Sequence, residues 1–353
     1  MDQVLQQFRE RIASATSSGT ALRIRGNGTK DWYGQELNGE VLDTTAYSGI
    51  VAYDPTELVI TARAGTTLRE IGAALSEKKQ MLAFEPPRFD GMATIGGIVA
   101  SGLSGPRRQA VGSVRDFVLG SVLMDGKGEV LHFGGQVMKN VAGYDVSRLL
   151  TGSLGTLGLL LEVSIKVLPR PFVQHSLQFT MSEEDALHQL NVWGGQPLPI
   201  SASCWFDGQL YVRLSGAQAA VDAAIAKMGG VEMSGADKLW DSLREQGHAF
   251  FSDATQGLWR VSVPTVAAPL PLPGVQMIEW GGAQRWLKTG ADAATVRAAA
   301  TAAGGHATLY KGGDKSVGVF QPLAPAVARI HRNLKTAFDP AGIFNPRRMY
   351  TEF

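Results

Sequence analysis

Ala93-Thr94-Ile95-Gly96-Gly97, followed closely by Ala100-Ser101-Gly102, and further along Gly152-Ser153-Leu154-Gly155-Thr156-Leu157-Gly158, are the stretches that decide the fold of this chain. Between them stand Gly112-Ser113-Val114-Arg115-Asp116 and Lys139-Asn140-Val141-Ala142-Gly143-Tyr144-Asp145. Glycines here alternate with apolar runs and leave few side chains that could do chemistry. Such clusters let backbone approach a ligand closely and turn amides towards phosphate. The expected occupant is large, flat and phosphorylated.

Outward from these clusters the chain reads as mixed helix and strand. Val4, Leu5, Phe8, Ile12 and Ala15 repeat at helical spacing, which predicts an amphipathic helix over residues 3–17. Strands are expected at 22–24, 58–63 and 159–168, and Thr67 with Glu70 forms a capping-box signature opening a helix. Residues 117–124 and 130–133 flank Asp125-Gly126 and predict a hairpin. Beyond Pro169-Arg170-Pro171 the glycine clusters thin and a new alternation begins. Strands are expected at 176–180, 203–206, 210–214, 258–263 and 275–280, with helices at 182–190 and 217–228. The order predicts an antiparallel sheet covered by helices on one face, hence an α+β chain. The expected divisions are 1–170, 171–315, and a turn-rich tail over 316–353 that packs back on the first.

Composition narrows the function classes. With 33 basic and 32 acidic residues and a net charge of +1, the chain has no overall field to gather nucleic acid or an anionic membrane. Its one cysteine, Cys204, cannot ligate an iron–sulfur cluster or a structural zinc. No apolar run reaches the length of a membrane span, and the start lacks a secretion signal. These features predict a cytoplasmic chain without direct membrane insertion, peripheral to a membrane only through partners.

Arg25-Gly26-Asn27-Gly28-Thr29-Lys30 follows the first expected strand. Two glycines around an asparagine allow consecutive amides to converge on an anion, though the same residues also suit a surface turn. The loop is neither a dinucleotide fingerprint nor a Walker loop. Taken with the later clusters it resembles the FAD-binding domain of the vanillyl-alcohol oxidase and p-cresol methylhydroxylase (PCMH) superfamily. Lys139 to Asp145 as quoted, Arg148-Leu149-Leu150 and the closing Phe338-Asp339-Pro340 and Asn345-Pro346 resemble the glycolate oxidase and D-lactate dehydrogenase branch. Gly105-Pro106-Arg107-Arg108 and the short chain narrow the likeness to the E subunits of bacterial glycolate oxidases.

The resemblance implies a two-subdomain PCMH-type FAD-binding domain with a smaller antiparallel-sheet cap. It implies that Arg25, Gly26, Asn27, Gly28, Thr29 and Lys30 wrap the pyrophosphate. Thr94, Ile95, Gly96, Gly97, Ser101 and Gly102 form a second loop near the phosphates and the ring. Gly112, Val114 and Asp116 flank the cofactor's middle, Leu160 and Val163 run beside the adenine half, and Asn345 approaches the ring. For Gly152, Gly155 and Gly158 close packing is an alternative role, as is a buried hydrogen-bonded corner for Tyr144 and Asp145.

Two departures matter. Asn27 and Thr29 stand where covalently linked members carry an attachment residue, so FAD is expected to be noncovalent. The histidine-rich metal motif and the His-x-Gly-Asp-Gly-Asn segment of catalytic hydroxy-acid members are missing, and no metal site is expected from sequence-local pairs. Catalytic residues stay unassigned, with Arg107, Arg108 and Lys139 as candidates for a substrate carboxylate and His306 or His331 for a base. The implied activity is oxidation of a small 2-hydroxy acid, glycolate, to the 2-oxo acid, with electrons leaving through a second flavin subunit and an iron–sulfur subunit. A self-sufficient oxidase of a sugar, lactone or alcohol, and a scaffold that binds FAD weakly, are the alternatives.

Overall fold

The computed structural model describes residues 2–135, 146–252 and 256–353. They fall into two compact units, one of Met1–Leu103, Ser113–Pro169 and Pro322–Phe353, the other of Ser104–Gly112 and Arg170–Gln321. Among the described residues no helix is long and apolar enough to cross a membrane.

The strands of the first unit are β1 (Leu22–Arg25), β2 (Glu40–Asp43), β3 (Ile50–Asp54), β4 (Val59–Arg63), β5 (Gln80–Met81), β6 (Val118–Met124), β7 (Val130–Gly134), β8 (Leu159–Lys166) and β9 (Leu168–Pro169). Five of them form an antiparallel sheet in the order β3-β4-β8-β6-β7, whereas β1 and β2 pair in parallel from Leu22 opposite Glu40. Helix α1 (Asp2–Ser18) buries Phe8, Ile12 and Ala15, spaced four and three apart on one face, against Leu22, Leu42, Met124, Leu159 and Leu161. Each large side chain removed from water there contributes roughly 1.5–3 kcal/mol before entropy is counted. Helix α2 (Leu68–Glu77) starts where the Thr67 hydroxyl accepts from the Glu70 amide.

The C-terminal tail enters that same core through Ile343 and Phe344. Helix α11 (Pro325–Phe338) delivers it, and the Leu22 amide donates to Ile343 O at 2.7 Å while the Asn345 amide donates to Leu22 O at 2.8 Å. Lys335 clamps the turn: its Nζ donates to Asp339 Oδ2 at 2.7 Å, Phe344 O at 2.6 Å and Thr156 O at 2.8 Å. Burial lowers the Lys335 pKa, and the adjacent Asp339 opposes that shift.

The second unit is built on an eight-stranded antiparallel sheet of β10 (Val173–Thr180), β11 (Ile200–Phe206), β12 (Gln209–Gly216), β13 (Val231–Glu232), β14 (Leu258–Ser262), β15 (Val275–Glu279), β16 (Gln284–Lys288) and β17 (His306–Lys311), in the order β13-β10-β12-β11-β15-β16-β14-β17. Helices α7 (Glu183–Gly194), α8 (Gln218–Met228) and α10 (Ala293–Ala302) supply side chains to the cores on one face of it. The fold is thus α+β with antiparallel sheets, as the alternation predicts. Two local expectations change. Phe117 ends a short helix, α5 (Val114–Phe117), and does not begin the strand. In the hairpin that follows, the left-handed residue is Gly128 at φ 78°, while the Asp125 carboxylate accepts from the Lys127 and Glu129 amides.

Candidate functional site

Strand β1 ends at Arg25, where Thr44 holds its carbonyl through amide and hydroxyl, and the chain then turns through residues 26–30. Gly28 takes a left-handed φ of 70° above the Arg25 guanidinium, whose Nη2 would lie 2.0 Å from an added Cβ. Arg25 Nε in turn donates to Asp31 Oδ2 at 2.7 Å, and Asn27 Nδ2 donates to Met92 O at 2.8 Å. With the loop fixed in this way, none of the amides of Gly26, Asn27, Gly28, Thr29 and Lys30 donates a hydrogen bond within the described residues. Polar backbone groups are usually paired. Five adjacent donors left open around one turn form an anion nest.

A second turn packs against the first. A Cβ on Gly26 would stand 2.6 Å from Thr94 Oγ1, and that hydroxyl accepts from the Gly97 amide at the start of α3 (Ile95–Ser101). The Ile95 amide is taken by Thr66 O and the Gly96 amide by Ala64 O, both at 2.9 Å. This turn therefore offers bare Cα surface at Gly97 more than spare donors. Gly102 closes the helix at φ 67°, and the Ser101 hydroxyl turns back onto Ile98 O at 3.2 Å.

A third turn, 152–158, hangs from the end of α3: the Gly152 amide donates to Val99 O at 2.9 Å and the Leu154 amide to Ala100 O at 2.8 Å. Asn345 from the tail bridges it to β1, with Oδ1 accepting from the Ile24 amide at 2.8 Å and Nδ2 donating to Leu154 O at 2.6 Å. Arg348, also from the tail, is buried and donates to the carbonyls of Asp31, Tyr33 and Gln35, so the tail also braces the far side of the first loop. Burial pushes its pKa down to about 10.

Between the turns lie two adjoining clefts that share Ile24, Gly26, Gly97, Ala100, Leu154 and Asn345 as walls. Arg25, Asn27, Gly28, Thr29, Lys30, Thr94 and Ser101 line the first cleft, and Gly96, Gly155, Gly158 and Leu160 the second. Lys30 is the principal charge at the nest: its Nζ rests on Thr29 Oγ1 at 3.0 Å, and burial, opposed by Asp31, lowers its pKa to about 8. An anion beside it would offset that cost.

Other sequence candidates are not among these walls. Ile95 is buried at the root of α3. Val114 is buried in α5, and Asp116 accepts from the Ser113 amide and hydroxyl as a helix cap. Gly112 belongs to the second unit, and Val163 is buried in β8 between Ala62 and Ser121. Arg107 and Arg108 belong to the second unit too. Arg107 is buried and donates to Gln174 Oε1 at 3.1 Å and to Ser215 Oγ at 3.4 Å. Lys139, with Tyr144 and Asp145, lies outside the described residues. Sequence reasoning missed Ile24, Leu154 and Arg348. Leu154, left-handed at φ 51°, was legible only as part of a glycine-rich turn, and Arg348 carried no signal beyond its place in the tail.

Residues 5–134 match the model of a family described as an FAD binding domain. p-Cresol methylhydroxylase with substrate bound has the same fold, with a TM-score of 0.72 at 15% identity over 99% of this chain and 88% of that one. Glycolate oxidase subunit GlcD of Bacillus subtilis (strain 168) is 33% identical over 142 residues, 40% of this chain and 30% of the relative. Glycolate oxidase subunit GlcE of Escherichia coli (strain K12) is 50% identical over 347 residues, which are 98% of this chain and 97% of that relative. At that identity, sustained almost from end to end, the chain belongs to the family of glycolate oxidase subunit GlcE.

Proposed function

We propose that the first unit holds FAD noncovalently in its cleft, and that the chain is the FAD-binding subunit of a glycolate oxidase (glycolate dehydrogenase) complex. It takes part in converting glycolate, a 2-hydroxy acid, to glyoxylate. Electrons pass to partner subunits, one carrying a second flavin and one an iron–sulfur cluster. The first unit is the FAD-binding domain of this scheme and the second its cap. The observation that carries the reading is the row of open amides from Gly26 to Lys30 at the mouth of the cleft.

Those amides and the Lys30 ammonium would take the pyrophosphate, which neutral and charged donors together hold tightly. Gly97, with no side chain, would let the ligand lie against α3, and Leu160 would give apolar cover in the second cleft. Asn345 and Arg348 would brace the turns through bonds to their carbonyls and an amide, while Asn345 also walls both clefts. Bound FAD supplies the acceptor for the hydride equivalent that leaves the α-carbon. The first loop offers Asn27 and Thr29, neither of which is a nucleophile that would anchor a flavin covalently. Cys204, the only cysteine, cannot ligate a cluster, so onward transfer needs another chain.

Anaerobic dye reduction by glycolate tests the subunit reading. The co-expressed complex is expected to turn over, and the isolated FAD-loaded chain to show no comparable rate. Equal turnover by the isolated chain would instead make it a self-sufficient oxidase.

A further inference from the structure

Among the described residues no carboxylate forms a salt bridge with Lys30. Asp31, whose charge opposes the effect of burial on Lys30, is held by Arg25 Nε at 2.7 Å, and Lys30 Nζ donates to the Thr29 hydroxyl at 3.0 Å. The cation's further partner is a ring: Nζ lies over Phe89, 5.5 Å from the centroid. Gly97 leaves room beside the same side chain, since a Cβ added there would stand 3.7 Å from Lys30 Cε and Nζ. An aromatic face attracts an ammonium through its quadrupole and takes up none of its N–H donors.

Phe89 reaches Lys30 on a backbone bent against its preference. Phe89, Asp90 and Gly91 take left-handed φ values of 43°, 60° and 77° in succession. That region is uncommon for a bulky residue and marks a turn that its surroundings hold in place. Helix α2 supplies one hold: the Arg69 amide donates to Gly91 O at 3.2 Å and Arg69 Nη2 to Asp90 O at 2.8 Å. The first loop supplies another through Asn27 Nδ2 on Met92 O. The Phe89 ring meets Trp32 edge to face at 6.3 Å, and Trp32 Nε1 donates to Thr29 O at 3.1 Å. Phe89 is half-buried and is not among the walls of the first cleft, whereas Lys30 is.

We propose that Phe89 is a positioning residue of the cofactor site: its ring supports the Lys30 ammonium and leaves the donors of that ammonium to the pyrophosphate of FAD. The inference rests on the functional reading above and adds the residue that prepares the cation. A carboxylate in the place of the ring would take up those donors and repel an arriving phosphate. The ring does neither. The left-handed turn at Phe89 is then the backbone strain that brings the ring to Lys30.

Titration of FAD into the cofactor-free full chain, followed by flavin fluorescence from about pH 6 to about pH 9, tests this. Without the ring the charged form of Lys30 loses support, so it gives up its proton at lower pH. In Phe89→Leu the pH at which FAD affinity begins to fall should therefore move down by about half a unit or more, the weight of a cation–π contact at a partly desolvated ammonium. Phe89→Tyr keeps the ring and should follow wild type. Phe89→Met is a second ringless variant, unbranched and adaptable, and covers the case of a leucine variant that does not fold. In a Lys30→Met background Phe89→Leu should change FAD affinity less than about twofold, whereas a ring that only packs would weaken binding equally in both backgrounds. An unmoved onset in the ringless variants, or equal loss in both backgrounds, overturns the proposal while FAD binding by wild type still stands. A wild-type chain that takes up no FAD overturns the functional reading and this inference with it.

Discussion

Gly96 and Gly97 are neighbours in sequence, yet an added Cβ meets different surroundings at each. On Gly96 it would stand 2.6 Å from Ala64 Cβ and 2.9 Å from Ala64 O, so this glycine serves the packing of α3 on the chain beyond β4. On Gly97 the nearest atoms are Thr94 Oγ1 at 3.1 Å and Lys30 Cε at 3.7 Å, and the remaining space belongs to the cleft. Gly97→Val is therefore expected to leave the thermal midpoint within a few degrees of wild type while flavin content falls about tenfold, because overpacking of about 1–3 kcal/mol is borne by the bound ligand. Gly96→Val should lower the midpoint itself. Absorbance at the flavin band and a melting curve on both variants read the difference. Lys30 gives a pH signature. Its pKa of about 8 would rise beside a phosphate, so FAD binding takes up a proton above that pH. FAD affinity should be flat below about pH 7 and weaken from pH 8 upward, a slope absent in Lys30→Met. For the cofactor-free chain the sign is opposite. The unfolded chain binds the extra proton between about 8 and 10.5, so stability gains from this group as pH rises through that window.

At the scale of elements, the tail carries the loops. Lys335 and Asp339 form a buried pair whose remaining bonds go to Thr156 O, Phe344 O and the Ile343 and Phe344 amides. Lys335→Met strands the Asp339 carboxylate, and losing one partner of such a pair costs about 3–5 kcal/mol. Denaturant unfolding should show that loss, and flavin content should fall with it, since Asn345 is positioned by the same turn. The hairpins were legible because local chemistry sets them: Asp207 and Gly208 adopt the left-handed pair, at 51° and 71°, that a tight turn requires. The strands that sequence did not disclose lack alternation. β2 buries only Leu42, and β16 buries Gln284 and Arg285 beside Trp286 and Leu287. Their pairing is set by distant partners, and no period of two announces it.

Over the whole molecule, the glycine clusters gave away the first unit's loops, because a close approach of backbone leaves its mark as a missing side chain. What they could not give is which atom each glycine makes room for, since Gly96 and Gly97 look alike until Ala64 is placed beside one of them. The central claim, that this chain itself holds FAD without a covalent bond, is tested most directly by the visible spectrum of the purified chain before and after acid precipitation. The account predicts an oxidised-flavin spectrum whose colour passes entirely into the supernatant; a colourless chain that takes up no added FAD, or colour retained on the precipitate, would contradict it.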